Sequence, residues 1–286
     1  MRKIVITLCL IIAGINCFSE NFPIKGKINP NVYSTIDMIK IDNDDFICEY
    51  EVENFVQNMK FSKKYTDGLL FFELSEPFSK KFNEDYYYNH KEIGETSNKL
   101  LTLIGKKTQF NSLIIFGVTD GFDDNPHCFL DDFWQGTTTY TNCSSYLTEK
   151  DKAYTVDNLS ESVMDTPWVE GVPGNGIGEG FTIERAYTDY LLIVNGYISY
   201  KKPYLYKQNG RIKKLKVTGL TSGEERILEV LDTPHPQTID ISFITKNEDI
   251  RVEIAEVYEG TKYDDTCLHL CKLYPVEVIP YEDSVK

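Results

Sequence analysis

The chain has 286 residues, of which 41% are hydrophobic and 26% are charged. This composition is typical of globular proteins, and the length is sufficient for two ordinary domains. The formal net charge is −14. Such a surface repels phosphate backbones and anionic lipid headgroups, and the sequence has no basic patch to override the repulsion. We therefore expect neither nucleic acid nor an anionic membrane surface as a partner.

The N-terminus predicts export. Two basic residues at 2–3 precede an apolar segment at 4–15 that is too short to span a bilayer. We therefore predict a signal peptide over residues 1–19 and a secreted or cell-surface location. Cleavage before Glu20 gives a free chain. The alternative is a lipoprotein in which Cys17 carries a lipid anchor, and that anchor is the one membrane attachment we expect.

The cysteines allow more than one arrangement. Export permits disulfides, and Cys128 and Cys143 are the best-placed pair because turn residues lie between them. Cys267, His269 and Cys271 alternate as they would on one face of a strand. That spacing suits zinc but lacks a fourth ligand, and buried thiols in a core strand are the commoner alternative.

Residues 20–140 carry both strand and helix patterns and are expected to form a small β-rich or α+β domain. Short apolar runs with partial alternation predict strands, and helix-forming residues after a proline or before a glycine predict helices. The predicted strands are 45–56, 68–74 and 112–118, and the predicted helices are 78–90 and 98–104.

This half has no recognisable catalytic motif. Neither Gly-x-Ser-x-Gly nor His-Glu-x-x-His occurs in it. An acidic cluster at 120–132 does not follow the EF-hand pattern and is expected to be a solvated loop. We therefore expect no catalysis, no cofactor and no metal site.

From about residue 141 onward, short strand-like segments recur every ten residues or so, with turn residues between them. Regular spacing of this kind predicts a β-sandwich. Apolar residues alternate at Leu215 and Val217 and again at Ile239 and Ile241, as expected when one face of a strand meets a core. The predicted strands are 180–183, 190–196, 211–217, 226–231, 237–241, 250–257 and 267–274.

The segment 166–179 is predicted to be a shaped loop. Its four glycines permit positive φ and disfavour a helix, and its two prolines each remove an amide donor. It contains neither a dinucleotide-binding fingerprint nor a Walker loop, so phosphate binding is not expected. Trp168 is expected to be buried beside this connection, with a place on a ligand rim as the alternative.

The C-terminal half resembles the NADase-type glycan-binding domain, a family of discoidin-like β-sandwich modules. The resemblance begins with Pro167-Trp168-Val169-Glu170-Gly171. Further blocks follow in order at 176–179, 193–197, 206–215, 231–234 with 237–239, and 257–266.

The resemblance implies a jelly-roll sandwich that binds glycans through loops at one end, and it does not imply NADase activity. Many discoidin-like modules also hold a structural calcium ion. Here Glu161 and Ser162 stand in the loop where an Asp and a Gly are expected, and Leu270 stands where a Glu is expected. An apolar side chain cannot coordinate calcium, so calcium is not expected.

Sugar sites combine an aromatic face with a few fixed polar groups. Residues of these two types cluster in the blocks that carry the resemblance, and Tyr263 and Lys201 are further candidates. The predicted ligand-binding residues are Trp168, Glu170, Asn195, Tyr197, Tyr204, Tyr206, Arg211, Asp264 and Asp265.

We therefore expect a signal peptide at 1–19, an N-terminal domain of unknown function at 20–140, and a β-sandwich at 141–286. The favoured function is that of an exported, non-catalytic bacterial protein whose sandwich recognises a carbohydrate or another cell-surface ligand. Two alternatives remain, because a fold does not fix a function. One is a secreted enzyme with catalysis in 20–140 and the sandwich as a targeting module. The other is a protein-binding adhesin.

Overall fold

The computed structural model describes residues 27–31, 34–41, 45–52, 55–74, 99–109, 112–119, 138–160 and 166–281. Within these ranges the protein is built almost entirely of β-strands. A 3-10 helix at Val156–Ser160 and a four-residue α-helix, α1 (Leu205–Gln208), complete the regular structure there. In this part of the chain no helix is long and apolar enough to cross a membrane.

The strands of the N-terminal half are β1 (Lys27–Asn31), β2 (Ser34–Ile41), β3 (Asp45–Val52), β4 (Phe55–Thr66), β5 (Leu69–Leu74), β6 (Lys99–Lys107) and β7 (Ser112–Thr119). Those that follow are β8 (Tyr140–Thr141), β9 (Thr148–Glu149), β10 (Lys152–Ala153), β11 (Trp168–Val169), β12 (Gly180–Ala186), β13 (Tyr190–Asn195), β14 (Gly210–Gly219), β15 (Glu225–Glu229), β16 (Gln237–Asp240), β17 (Glu248–Tyr258), β18 (Thr266–Tyr274) and β19 (Val278–Pro280).

Strands β1 to β7 form one antiparallel sheet in chain order, which we call the N-terminal sheet. Its β4–β5 hairpin closes with the two-residue turn Asp67-Gly68, where φ is 51° and 88°. Positive φ at both central positions matches the twist of the flanking strands, and Asp-Gly is a preferred sequence for this turn.

The later strands form the predicted β-sandwich. One layer contains β16, β13 and β18, and the other contains β15, β14, β17, β12 and β8. The layers meet in a short parallel contact in which Gly210 and Arg211 of β14 pair with Thr266 and Cys267 of β18. Side chains from both layers interdigitate in the core, including Leu191, Ile193 and Leu273 from the first and Leu215, Val217, Val252 and Ile254 from the second.

Strand β18 is buried along its whole length, because it has a packed layer on each side. Leu268, Cys271 and Leu273 face the sandwich core. Leu270 and Tyr274 face a second core, which the sandwich shares with the N-terminal sheet. The N-terminal sheet contributes Leu69, Phe71, Leu101 and Leu103 to that second core. The protein is therefore a stack of three β-layers with β18 in the middle one.

The end of the chain returns to the N-terminal sheet. Strand β19 pairs with residues 105–107 of β6. Beside that pairing, the amide of Ile104 donates to Nδ1 of His235 at 3.1 Å, and the amide of Tyr281 donates to the carbonyl of Ile104 at 3.0 Å. Ile104 lies between the residues of β6 that pair with β5 and those that pair with β19. His235 and Tyr281 therefore satisfy its backbone N–H and C=O, which would otherwise be unpaired.

Most of the strand predictions are confirmed. Strands overlap the predicted segments 45–56, 68–74 and 112–118 and all seven predicted segments of the C-terminal half, although 45–56 spans the end of β3 and the start of β4. The predicted helix at 98–104 is wrong, because residues 99–104 lie within β6 and pair with β5 on one edge and with β7 on the other. Tertiary pairing overrides helix propensity there. The predicted helix at 78–90, the acidic cluster at 120–132 and the signal peptide at 1–19 lie outside the described residues.

Gly68 is predicted to be intolerant of side chains. A Cβ at this position would lie 2.8 Å from Cε of Lys207 and 3.3 Å from the ring of Tyr206, and its φ of 88° is unfavourable for any other residue. We expect Gly68→Val to lower the free energy of unfolding by about 2 kcal/mol. Chemical denaturation measures this loss.

The neighbouring position supplies the control. Asp67→Asn should change stability little, because Asn adopts positive φ readily and Asp67 is exposed. Equal stability of Gly68→Val and the wild type would show that the hairpin does not pack against α1 in solution.

Candidate functional site

The Gly-rich loop owes its shape to positive backbone angles. Gly174, Gly176 and Gly178 have φ of 97°, 66° and 91°, which confirms the expectation from the sequence. Gly176 also packs against Glu170, so a Cβ there would lie 2.4 Å from Cγ of that residue. The glycines therefore allow the loop to fold back closely over β11.

Trp168 belongs to the sandwich core. Only 1% of its surface is exposed, and its ring meets the ring of Phe181 edge-on at 5.3 Å. Its indole N–H donates to the carbonyl of Ser145 at 3.1 Å. This burial agrees with the expectation for Trp168 and leaves the side chain closed to a ligand.

Two polar residues predicted to bind ligand instead fasten backbone segments together. The buried carboxylate of Glu170 accepts hydrogen bonds from the amides of Val172 at 2.9 Å and Thr266 at 3.2 Å. Burial raises the pKa of Glu170, and these two hydrogen bonds act in the opposite direction. The side-chain amide of Asn195 donates to the carbonyl of Ile212 at 2.7 Å and accepts a hydrogen bond from the backbone N–H of Ile212 at 3.0 Å. These two bonds link β13 to β14.

The buried side chains of Arg211 and Tyr206 form a polar cluster with Asp232, which is exposed. The guanidinium contacts both carboxylate oxygens of Asp232, at 2.7 and 3.2 Å, and the hydroxyl of Tyr206 donates to the same carboxylate at 3.3 Å. Arg211 also donates to the carbonyls of Tyr206 and Asn209. Burial raises the pKa of Asp232, but the hydrogen bonds and charge of Arg211 outweigh it and leave that pKa below its ordinary value. The cluster fixes α1 to the start of β14.

A pocket of about 490 Å³ lies beside this cluster, at the end of the sandwich where β13 ends and β14 and β18 begin. Loops and strand ends from distant parts of the sandwich sequence form its walls. The lining residues are Leu147, Glu149, Tyr154, Val169, Tyr197, Lys202, Tyr204, Leu205, Gln208, Asn209, Lys262, Tyr263 and Asp265.

The floor of the pocket is apolar and aromatic. Tyr154, Val169 and Tyr197 pack with Cys267 into a small buried cluster. The rings of Tyr154 and Tyr197 meet edge-on at 6.1 Å, and their hydroxyls lie 3.4 Å apart. This mutual packing holds both rings in fixed orientations.

The rim is formed by α1 and the turn before β18. Tyr204 and Tyr263 are 42% and 37% exposed, so part of each side chain is accessible to a ligand. The amides of Lys262 and Tyr263 both donate to the carbonyl of Gln208, at 3.1 and 2.8 Å. These hydrogen bonds tie the turn to α1, so the two exposed tyrosines stand on a connected piece of backbone.

Residues 133–273 match the family model described as the NAD glycohydrolase translocation F5/8 type C domain. The C-terminal half of the chain is a discoidin-like F5/8 type C domain. The resemblance stated from the sequence is therefore confirmed, and so is the β-sandwich expected from it. Discoidin-like domains often bind carbohydrates or proteins. Comparison with curated proteins and with solved structures gave no match.

The structure brings only some of the predicted site residues together in the F5/8 type C domain. Tyr197, Tyr204 and Asp265 line the pocket, and the exposed Asp264 precedes Asp265. The other predicted residues are enclosed by the contacts described above: Trp168, Glu170, Asn195, Tyr206 and Arg211.

Sequence reasoning missed much of the lining. Tyr154 and Glu149 belong to the β9–β10 hairpin and the residues after it, outside the blocks that carry the resemblance. Gln208 lies inside a matching block but carries no distinctive pattern. The available signal was the tyrosine- and lysine-rich segment 200–207, which the prediction used for its tyrosines and Lys201 but not for Lys202.

The cysteine and histidine pattern of β18 does not form one face. A register shift opposite Val194 and Asn195 inserts His269 as an extra residue. As a result Cys267 lies in the pocket-floor cluster and Cys271 in the sandwich core, and both are free thiols. Among the described residues no group of three or more His, Cys, Asp or Glu side chains could hold a metal ion.

Two further expectations concern cysteine pairing and calcium. Cys143 is a free thiol in the described structure, and its predicted partner Cys128 lies outside the described residues. Leu270 is buried in the core shared with the N-terminal sheet, so its position offers no oxygen ligand for calcium. Glu161 and Ser162 lie outside the described residues.

The Arg211–Asp232 ion pair is predicted to stabilise the F5/8 type C domain more than a surface pair does. A double-mutant cycle with Arg211→Met and Asp232→Ala should give a coupling energy of about 2 kcal/mol, because removing one partner leaves a buried charge unpaired. Chemical denaturation of the four proteins measures it. The exposed Lys246–Asp189 pair is the control, with an expected coupling below about 1 kcal/mol. Equal couplings would contradict this role.

His269 is predicted to make stability depend on pH. Its ring is 3% exposed, and neither nitrogen has a hydrogen-bond partner in the described structure. Burial lowers its pKa from 6.5 to about 4. Between these values the unfolded chain binds the proton and the folded protein does not, so stability falls as the pH drops, by up to about 3 kcal/mol.

His269→Leu isolates this contribution. The variant removes the titrating group while keeping a similar volume, so its stability should fall less than that of the wild type between the two pKa values. Denaturation curves at a series of pH values provide the comparison. Parallel pH profiles for the two proteins would rule out the contribution of His269.

Proposed function

We propose that the F5/8 type C domain binds a carbohydrate in the pocket at the end of the sandwich. The observation that carries this proposal is the combination of a fixed aromatic floor, at Tyr154 and Tyr197, with two exposed rim tyrosines, at Tyr204 and Tyr263. Aromatic faces suit the C–H side of a sugar ring, and the polar lining suits its hydroxyls. Loop ends of a sandwich are also where the family resemblance implies glycan binding.

We also propose that the protein is exported and non-catalytic. A signal peptide at 1–19, with the alternative of a lipid anchor at Cys17, agrees with a family named for translocation of an NAD glycohydrolase. We divide the remainder into an N-terminal domain at 20–140 and the sandwich at 141–286, and the β19 return strand joins the two. The N-terminal sheet supports the pocket from behind, because Gly68 packs against Tyr206 and Lys207 of α1.

The rim tyrosine offers a matched test. Tyr204→Ala should weaken sugar binding roughly tenfold, which corresponds to about 1.4 kcal/mol, because it removes an exposed aromatic face at the pocket. Tyr187→Ala is the control: Tyr187 is 46% exposed and precedes β13, at the opposite end of the sandwich. A glycan array identifies the sugar, and isothermal titration of the full mature chain measures the affinities.

Three outcomes separate the alternatives. Loss of binding in Tyr204→Ala alone supports the pocket. Equal binding by both variants places the sugar site elsewhere. No binding to any glycan, together with saturable binding to a purified surface protein that Tyr204→Ala abolishes, makes the domain a protein-binding adhesin.

A further inference from the structure

Two acidic and two basic residues line the pocket. Glu149 on β9 and Asp265 before β18 carry the negative charges, and we call them the acidic side. Burial raises the pKa of Asp265, and the neighbouring charges of Glu149 and Asp264 raise it further. Both carboxylates line the pocket. Neither forms an ion pair with a cation in the described part of the chain.

The basic side consists of Lys202, in the segment before α1, and Lys262, in the turn bonded to α1. The ammonium group of Lys262 lies 4.7 Å over the ring of Tyr263. Neither lysine has a carboxylate partner within the described residues. By contrast, Lys213 and Lys214 pair with Glu256, and Lys216 pairs with Glu253.

Two unpaired cations and two unpaired anions thus line one small pocket without pairing to each other. Backbone hydrogen bonds fix the elements that carry them: the amide of Gly210 donates to the carbonyl of Asp265 at 2.8 Å, and the 262–263 turn is held by Gln208. Any ligand that fills the pocket removes water from all four charges. That desolvation is unfavourable unless the ligand supplies opposite charges on both sides.

We propose that the pocket selects a zwitterionic sugar, which directs an ammonium group toward Glu149 and Asp265 and a carboxylate toward Lys202 and Lys262. The proposal rests on the proposed function, because it assumes that this pocket is the sugar site. The tyrosine floor and rim contribute to both ends of such a ligand, since a tyrosine face attracts the ammonium group and its hydroxyl can donate to the carboxylate.

Four related sugars test the two charges independently: N-acetylglucosamine, glucosamine, N-acetylmuramic acid and muramic acid. They differ in whether the amine is free or acetylated and in whether the 3-hydroxyl carries a lactyl ether, which supplies the carboxylate. Isothermal titration with the full mature chain, at a slightly acidic pH that keeps the amine protonated, should show muramic acid binding at least tenfold more tightly than the other three. N-acetylglucosamine should bind most weakly.

Two double substitutions test which charges of the pocket recognise which charge of the sugar. The double variant Lys202→Met with Lys262→Met should lose the affinity that the sugar carboxylate adds and keep the affinity that the sugar amine adds. Glu149→Gln with Asp265→Asn should do the reverse. The control is Lys246→Met with Asp189→Asn, which removes one charge of each sign from an exposed pair on the loops flanking β12, β13 and β17, away from the pocket.

The result distinguishes the two proposals. Equal affinity for the four sugars, with loss of binding in Tyr204→Ala, overturns the charge selection and leaves carbohydrate binding in place. The charge selection is also overturned if muramic acid still binds more tightly than the other three sugars to both double variants of the pocket. No binding to these sugars or to any glycan on the array overturns both proposals.

Discussion

The whole structure depends on the burial of β18 on both faces. This strand supplies Leu268, Cys271 and Leu273 to the sandwich core and Leu270 and Tyr274 to the core shared with the N-terminal sheet. A strand with an apolar layer on each side needs no polar face, which explains why apolar residues of β18 point to both sides. The same strand begins at the pocket, where the amide of Thr266 donates to the carboxylate of Glu170 and Cys267 packs with the tyrosines of the floor. Strand β18 therefore contributes to both cores and to the candidate site.

The pocket depends on buried polar contacts made by residues outside its lining. Glu170 holds the Gly-rich loop to the start of β18, Asn195 holds β13 to β14, and Arg211 holds α1. Each of these groups satisfies backbone donors or acceptors that would be costly to bury unpaired. The loops around the pocket contain little regular structure, so such contacts replace the hydrogen-bond ladder of a sheet. This is why conspicuous polar residues in the matching blocks serve the scaffold while less conspicuous neighbours line the cavity.

The candidate site could be located from the sequence only in part. Tyr197, Tyr204 and Asp265 were chosen because aromatic and acidic residues in the matching blocks suggested a sugar site, and they line the pocket. Trp168, Tyr206 and Arg211 satisfy the same chemical criteria, yet neighbouring layers cover them. Residue type does not distinguish a tyrosine that faces solvent from one that faces a second sheet. That difference depends on the N-terminal sheet, whose packing on α1 has no local signature.

The sequence by itself determined the strands of the sandwich, the family of the C-terminal half and the shape of the Gly-rich loop, because these follow from local periodicity, motif order and the conformational freedom of glycine. Tertiary structure alone decided the rest. It made 99–107 a strand, because pairing on both edges outweighs helix propensity. It inserted His269 as a bulge that separates Cys267 from Cys271. It also assembled the pocket from Glu149, Tyr154, Lys202 and Lys262, which are brought together only when the layers stack.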